Sequence, residues 1–560
     1  MARVPPRAND HTLYGALRGD WRPGRKTTAG HRAMSASQPG RKTTAGHRAM
    51  SASQEPTRSL LGDGRSSSEP EQLLRRAKRK KSRAYSSRSR MLLLPSFEEA
   101  WRIEQAALSD ACDESHGVEL EIEQASSWHH AAAIIVGEII GSGILGLPGA
   151  FASLGLFIGT ACCVMFCLFS MYSGVLLARV RNVFFPDTES YADAAQHSWG
   201  PRFKSFTKCL VLLNWLALLP YYLLTIAKSL QIALEDHGTD PLCFYQYSLF
   251  AAAGLFVFLQ FRTLSGIAYA ALLSDVAIIA AIVLILVFMD NPASASDDAT
   301  FLIFVNNGTT PAPVAPSRAT HFSSLLWPLP GTFLQIYGRT STMVFAYQGQ
   351  SIYYEIMREM ESSSDFPKAI FAASTIMGSV YLATCLISVW LMGRNVPEFL
   401  PDAIPASHLL VRRIVGWLLA YHVVVSYILT NQPLASTFHA MLSPDTLLDY
   451  VSWRGKLFWL AITSALLGFS FLLANAIPFF STFQALIGSL LGAPLMFGWP
   501  AFFYLSACVQ QGSFVPYIDG GLCFLFLIVF LPLCTVAGCI SAVQNLISNW
   551  ASQGLPFQCP

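Results

Sequence analysis

AAAIIVGEIIGSGILGLPGAF, residues Ala131–Phe151, decides how this chain is read. It is apolar over the length that crosses a bilayer, for which about 20 residues suffice. A plain anchor would be a run of Leu and Val. Here the second half holds Gly141, Gly143, Gly146, Pro148 and Gly149, which disfavour a continuous helix. One carboxylate, Glu138, stands about a turn before the glycines. Irregular backbone is tolerated at membrane depth only where it is buried in protein or lines a cavity. The stretch therefore predicts a broken transmembrane helix whose main-chain groups face something polar. Close helix packing through small residues is the alternative reading.

The rest of the composition agrees with a membrane setting. Of 560 residues, 52% are hydrophobic and 13% charged, with a mean hydropathy of +0.41. Soluble domains carry roughly 25% charged residues, so the chain reads as an all-α polytopic membrane protein. Its twelve cysteines lack metal-ligand or CxxC spacing, and Cys162, Cys163 and Cys167 lie inside apolar spans. They read as small buried hydrophobes, and neither a metal site, a cofactor nor a disulfide framework is expected. Met1–Asp20 has no apolar core of the kind a signal peptide needs.

Residues 1–95 are rich in Ser, Arg, Gly and Pro, and predict a disordered basic tail. Within it the 16-residue PGRKTTAGHRAMSASQ of Pro23–Gln38 recurs unchanged at Pro39–Gln54. A solenoid would need three or more units, so the repeat reads as a tandem duplication. The basic run Arg75–Lys81 suits contact with anionic lipid, or simple solvation, better than nuclear import or nucleic acid. Residues 96–128 form an acidic pre-membrane segment, 129–547 the transmembrane domain, and 548–560 a short tail. Length and apolarity predict about eleven spans, near 131–151, 155–178, 206–234, 244–261, 265–289, 334–356, 368–392, 408–432, 456–475, 477–507 and 519–545.

Charge sets the orientation. The connection after the second span carries Arg179, Arg181, Arg202 and Lys204, whereas Glu235–Cys243 after the third has no Lys or Arg. The positive-inside bias places the amino terminus in the cytosol. The sole glycosylation sequon, Asn307-Gly308-Thr309, then falls in an outer loop, 290–333.

At this point two motifs suggest a family. GSGILGLPGAFASLGLFIG (Gly141–Gly159) resembles the first-helix signature of the amino acid/auxin permease family, in the amino acid–polyamine–organocation superfamily. VFAYQGQSIYYEIMREMESSSDFPKA (Val344–Ala369) is similar to the sixth-span F-[AS]-[FY]-x-G-H core and P-x-x-F-P-K-A loop of that family. The resemblance covers about residues 128–545. It implies a five-plus-five inverted repeat of the leucine-transporter type, with spans one and six broken, and transport of amino acids, neutral ones on the closest-looking branch. There are two departures. Gln350 stands where the family has His, and Gly137 stands where sodium-coupled relatives carry Asn.

A zwitterionic amino acid needs donors for its carboxylate and acceptors for its ammonium. Unwound backbone supplies both, with N–H groups near Gly141, Ser142, Gly143 and Ile144 and carbonyls before them and near Ala346–Gln348. The resemblance gives Phe345, Tyr347 and Gln348 a role at the substrate side chain, against packing as the plain alternative. Ionisable residues inside spans are rare and often functional. Glu138 and Asp275 lie farthest from span ends and are the candidates for carrying a coupling proton, unless Glu138–Arg339 or Asp275–Lys228 ion pairs merely fix the helices. Thr430 and Asn431 resemble a polar pair that serves a sodium ion, or they cap a helix ahead of Pro433.

These expectations describe a secondary active amino acid transporter, coupled to protons by preference and to sodium as the alternative, with a third reading as an amino acid sensor of the same fold. No HExxH, GxSxG or voltage-sensor repeat supports an enzyme or a channel. Plasma membrane and vacuolar or lysosomal membrane both fit.

Overall fold

The structure is a computed structural model, and it describes residues 126–235, 242–261, 267–289, 326, 333–443, 452–553 and 557. The basic tail with its repeat, nearly all of the acidic segment, and the loop with Asn307 lie outside the described residues. What is described is helical. The one extended pairing joins Ser126 to Met360.

Spans one and six are each in pieces. Helix α1 (Trp128–Ile139) ends where Ile140 and Gly141 leave helical geometry. A 3₁₀ turn over Ser142–Leu145 follows, then α2 (Leu147–Leu154) with Pro148 in its first turn. That position suits Pro, since the first helical N–H groups have no intrahelical acceptor. Gly155, at φ 79°, reverses the chain directly into α3 (Leu156–Arg179). A short α4 (Tyr191–Trp199) leads to the 34-residue α5 (Pro201–Leu234). Next come α6 (Phe244–Phe258) and α7 (Ile267–Phe288). The sixth span is α8 (Phe333–Tyr347), a gap at Gln348–Gly349, a 3₁₀ turn over Gln350–Ile352, and α9 (Tyr353–Glu359).

The second half continues with α10 (Phe366–Met392), α11 (Leu409–Leu442) and α12 (Trp453–Ala476). Two further spans bend through π-helical turns: α13 (Phe480–Ile487) into α14 (Trp499–Gln510), and α15 (Tyr517–Phe524) into α16 (Gly538–Gln553). Pro494 sits in one of these turns, where the wider winding accommodates its missing N–H.

Among the described residues, eight helices are long and apolar enough to cross a membrane. At the other three expected spans the described helices are shorter than that: the pieces of the two broken ones, and the 15-residue α6. One boundary moves. The apolar run predicts an end of the eighth span near residue 432, with a cap at Thr430 and Asn431 as one of two readings of that pair, but α11 runs through Pro433 to Leu442. A proline removes one backbone bond, which neighbouring helices and hydroxyl groups can offset in a membrane bundle. Thr430 and Asn431 therefore lie mid-helix.

The broken spans face each other. A Cβ added to Gly143 would stand 3.2 Å from Cα of Ala346, and one added to Gly349 would stand 2.6 Å from Cδ1 of Ile139. Gly143 thus lets the main chain of the second break approach, and Gly349 leaves room for the Ile139 side chain of the first, the close contact that small residues permit. Around this crossing, α10 packs on α1, α2 and α3, while α13 and α16 pack on α8.

Candidate substrate site at two broken helices

The carbonyls that the breaks release were expected to be free for a ligand. Several are not. Tyr381 of α10 directs its hydroxyl at the carbonyls of Ile139 (2.8 Å) and Ala346 (3.2 Å), one from each break. Tyr221 of α5 donates to the Ser142 carbonyl at 3.0 Å, and Gln484 of α13 donates to the Tyr221 hydroxyl at 2.9 Å. Ser170 of α3 donates to the Tyr347 carbonyl at 2.9 Å, and Gln350 donates to Ser170 Oγ at 2.9 Å while accepting from the Gly349 N–H at 3.0 Å. Gln350 thus closes a hydrogen-bond chain across the second break. In a dry bundle an unpaired carbonyl is costly, so these side chains hold the irregular backbone open.

Tyr381→Phe should leave both carbonyls without their donor. The expected cost is about 1–3 kcal/mol, read as a lower melting temperature of the detergent-purified protein with its helical content retained. An unchanged melting temperature would show that the hydroxyl contributes nothing to holding the breaks.

Between the breaks lies a cavity of about 80 Å³. Its walls include Glu138, Gly141, Ser142, Gly143, Phe345 and Gln348 from the expected set, with Asn214, Trp215 and Tyr222 of α5 added. Glu138 is open to it and is the one charged residue among those that line it. Gln348 also lines it; its buried Oε1 has no hydrogen-bond partner and lies against Gly492 in a π-helical turn. The Ser142 and Gly143 N–H groups begin a 3₁₀ turn, where the turn itself offers no acceptor. Phe345 packs edge-on against Tyr221, ring centroids 4.9 Å apart.

Ile144 and Tyr347 are not among the lining residues. Ile144 is fully buried. Tyr347 turns away to pair its hydroxyl with Cys163 Sγ at 3.1 Å and its ring with Tyr381 at 5.1 Å. Asp275 lies on the opposite side of α1, in a second, apolar cavity of about 480 Å³ bounded by α1, α7 and α10. There its Oδ2 fills the place of a side chain at Gly137, 2.6 Å from where a Cβ would be. Residue 137 is glycine for a reason of space. Thr430 meets the Tyr222 hydroxyl, and Asn431 is fully buried with both amide atoms unpartnered.

Neither ion pair weighed as a structural alternative forms. Arg339 approaches Glu398 at 3.6 Å, and Glu398 also accepts from Ser481 at 2.6 Å. Lys228 lies over the Phe399 ring, 5.8 Å from its centroid. Glu138 and Asp275 keep their carboxylates without these partners.

The profile of the Transmembrane amino acid transporter protein family matches residues 124–547. The chain belongs to this family. An N amino acid transport system protein of Neurospora crassa is 23% identical over 443 residues, covering 77% of this chain and 88% of that protein. Amino acid transporter AVT1H of Arabidopsis thaliana is 24% identical over 400 residues, covering 70% and 84%. Among solved structures, a Na+-coupled sialic acid symporter in a substrate-bound outward-open state aligns at TM-score 0.40 and 13% identity, over 77% of this chain and 91% of that one. With its family and its apolar helices, the chain is a multi-pass integral membrane protein.

Proposed function

We propose that the chain is a secondary active transporter that moves a neutral amino acid together with protons by alternating access. The observation that carries this reading is the small cavity shared by both breaks, lined by Ser142 and Gly143 at the start of a 3₁₀ turn, by Gln348 and by one carboxylate. The N–H groups of Ser142 and Gly143 take the substrate carboxylate, aided by the helix N-terminus that follows. With four break carbonyls already engaged, Gln348 Oε1 and Glu138 are the acceptors left for the ammonium group. Phe345 and Trp215 bound the side chain. A cavity of about 80 Å³ is far below the ~300–1,000 Å³ of drug-sized sites, which favours small side chains.

The same reading takes the two breaks as symmetry mates in a five-plus-five inverted repeat, with eleven crossings and the amino terminus in the cytosol. The cavity borders Glu138 and Ile139 before the first break and Gln350–Ile352 after the second. That is the cytosolic half, so the conformation is inward-facing. On the other side, Arg339 and Glu398 stand 3.6 Å apart. Two observations favour protons over sodium: Gly137 offers no side-chain oxygen, and Glu138 faces the substrate. The unpartnered Asn431 beside Thr430 supports the sodium reading instead.

Reconstitution of the full chain in liposomes separates these. A panel of radiolabelled amino acids should show accumulation of small neutral ones under an inward acid gradient with no sodium present. Accumulation that follows sodium and ignores pH would reject proton coupling, and uptake of no amino acid would reject the reading altogether.

A further inference from the structure

His422 of α11 is 2% exposed and lies beside the first break, on a helix that packs along α5 and α7. Its two nitrogens are in unlike settings. Nδ1 is 3.1 Å from the Ser274 carbonyl and 2.8 Å from Ser274 Oγ, while Ser274 Oγ is 3.4 Å from the carbonyl of His422. A carbonyl only accepts. All three contacts are satisfied together when Nδ1–H donates to Ser274 and the Ser274 hydroxyl donates to the His422 carbonyl. The opposite tautomer would set the Nδ1 lone pair against a carbonyl lone pair. Nε2 then carries a lone pair, and it has no hydrogen-bond partner. It faces the break: a Cβ on Gly141 would be 3.7 Å from it.

We infer that His422 Nε2 is a proton-binding site beside the first break, so that the imidazole and not a sodium ion supplies the positive charge exchanged between the two sides of the membrane. This deepens the transport reading above and rests on it. Sodium and other hard cations favour oxygen ligands, and an imidazole nitrogen is a poor one. An imidazole in its unperturbed state takes up a proton in the working range of pH. In the step itself, the Nε2 lone pair takes a proton from water admitted on the outer side. The resulting imidazolium keeps Nδ1–H on Ser274 and turns Nε2–H toward the unwound main chain at Gly141. Return to neutrality releases that proton to water on the inner side, so charge and atoms balance without another reactant.

The groups around it are consistent with a relay and not with a fixed ion pair. From α7 the titratable neighbour is Asp275, next to Ser274 in sequence, and from α1 it is Glu138, three residues before Gly141. From α5 it is Tyr222, which meets Thr430, with Lys228 farther out. Helix α12 carries only Arg454 and Lys456, at its first turn, and α6 only Tyr245 and Tyr247. Arg412 lies in the first turn of α11 with Glu235 3.6 Å away, and Asp402 precedes it in the turn Leu400–Ala403. Among the described residues, no carboxylate or cation touches Nε2.

The test uses the full chain in liposomes and two assays: exchange of labelled for unlabelled amino acid at equal pH, and accumulation driven by an outside pH of about 5.5, below the ordinary His value. Wild type should do both. His422→Gln should keep exchange within about twofold and lose accumulation, its inside-to-outside ratio falling to about 1. Accumulation equal to wild type would overturn the assignment. Should His422→Gln fail to insert, Ser274→Ala decides. It leaves the carbonyl contact and removes the Oγ acceptor of the loaded imidazole, so the pH of half-maximal accumulation should move to a lower value. An unmoved midpoint would overturn the assignment, because a packing role is blind to pH. A wild-type chain that exchanges no amino acid fails the transport reading first, and this site with it.

Discussion

Gly143→Leu is expected to reduce amino acid uptake to background while the protein still inserts and accumulates in the membrane. Two separate effects act in the same direction. The Cβ would stand 3.2 Å from Cα of Ala346 and 3.5 Å from its Cβ, where main chain of one break meets main chain of the other. Neither break can retreat easily, since Tyr381 holds a carbonyl from each. Overpacking of this kind costs about 1–3 kcal/mol. The remaining carbons would then project toward a cavity of only about 80 Å³ and fill the space that a substrate needs. Insertion should be unaffected, because Leu at a helix centre favours the membrane by a few tenths of a kcal/mol. Uptake of labelled amino acid in liposomes, normalised to reconstituted protein, reads the effect directly. Uptake like wild type would remove the substrate from the first break.

Gly143→Ala separates the two effects. A methyl group meets the same Ala346 atoms but leaves most of the cavity empty, so partial uptake is expected. If Ala were as damaging as Leu, the helix crossing and not the ligand space would be what the glycine protects.

Which parts of this were legible in the sequence follows from the range of the interactions involved. The first break could be read because five Gly and Pro residues cluster inside an apolar run, and backbone preference is local. The second could be read from Gly349 between two glutamines. Local reasoning fails at Pro433, where a proline predicts the end of a span. The helix continues there because its neighbours in the bundle compensate for one missing backbone bond.

The partners of the freed carbonyls could not be read at all. Tyr381 reaches back 242 positions to Ile139, and Gln484 and Tyr221 converge on Ser142 from two other helices. Each is one polar residue in an apolar span, a signal present in the sequence that names no partner. The same limit applies to charge. Arg339 and Lys228 were at plausible depths to pair with Glu138 and Asp275, yet the fold sends them to Glu398 and Phe399. Gly137 shows the reverse case, for its meaning appears only when the Asp275 carboxylate is seen to occupy its side-chain space.

That pairing outcome sharpens the expectation for Glu138→Gln. Without Arg339, the Glu138 carboxylate faces the substrate cavity with no cation among the residues that line it. Asp275 lies against the preceding residue, Gly137, so a second negative charge is nearby. A carboxylate at the membrane centre costs about 2.5–3.5 kcal/mol on insertion scales for Asp, and more by other estimates. An ammonium group in the cavity offsets that charge, and so does a proton. Transport in symport needs both states to be visited in order, with the carboxyl loaded from the outside and emptied to the inside. Glutamine keeps the shape and the acceptor oxygen but cannot lose a proton. The variant should therefore exchange amino acid at equal pH at a rate within about tenfold of wild type, a change worth roughly 1.4 kcal/mol. Its exchange should be flat with pH where that of wild type rises as the outside is acidified. Accumulation driven by a pH gradient should be lost. If Glu138→Gln still concentrates amino acid at an outside pH of about 5.5, Glu138 shapes the cavity without carrying the proton, and the coupling path runs through the α7–α11 side of the break alone.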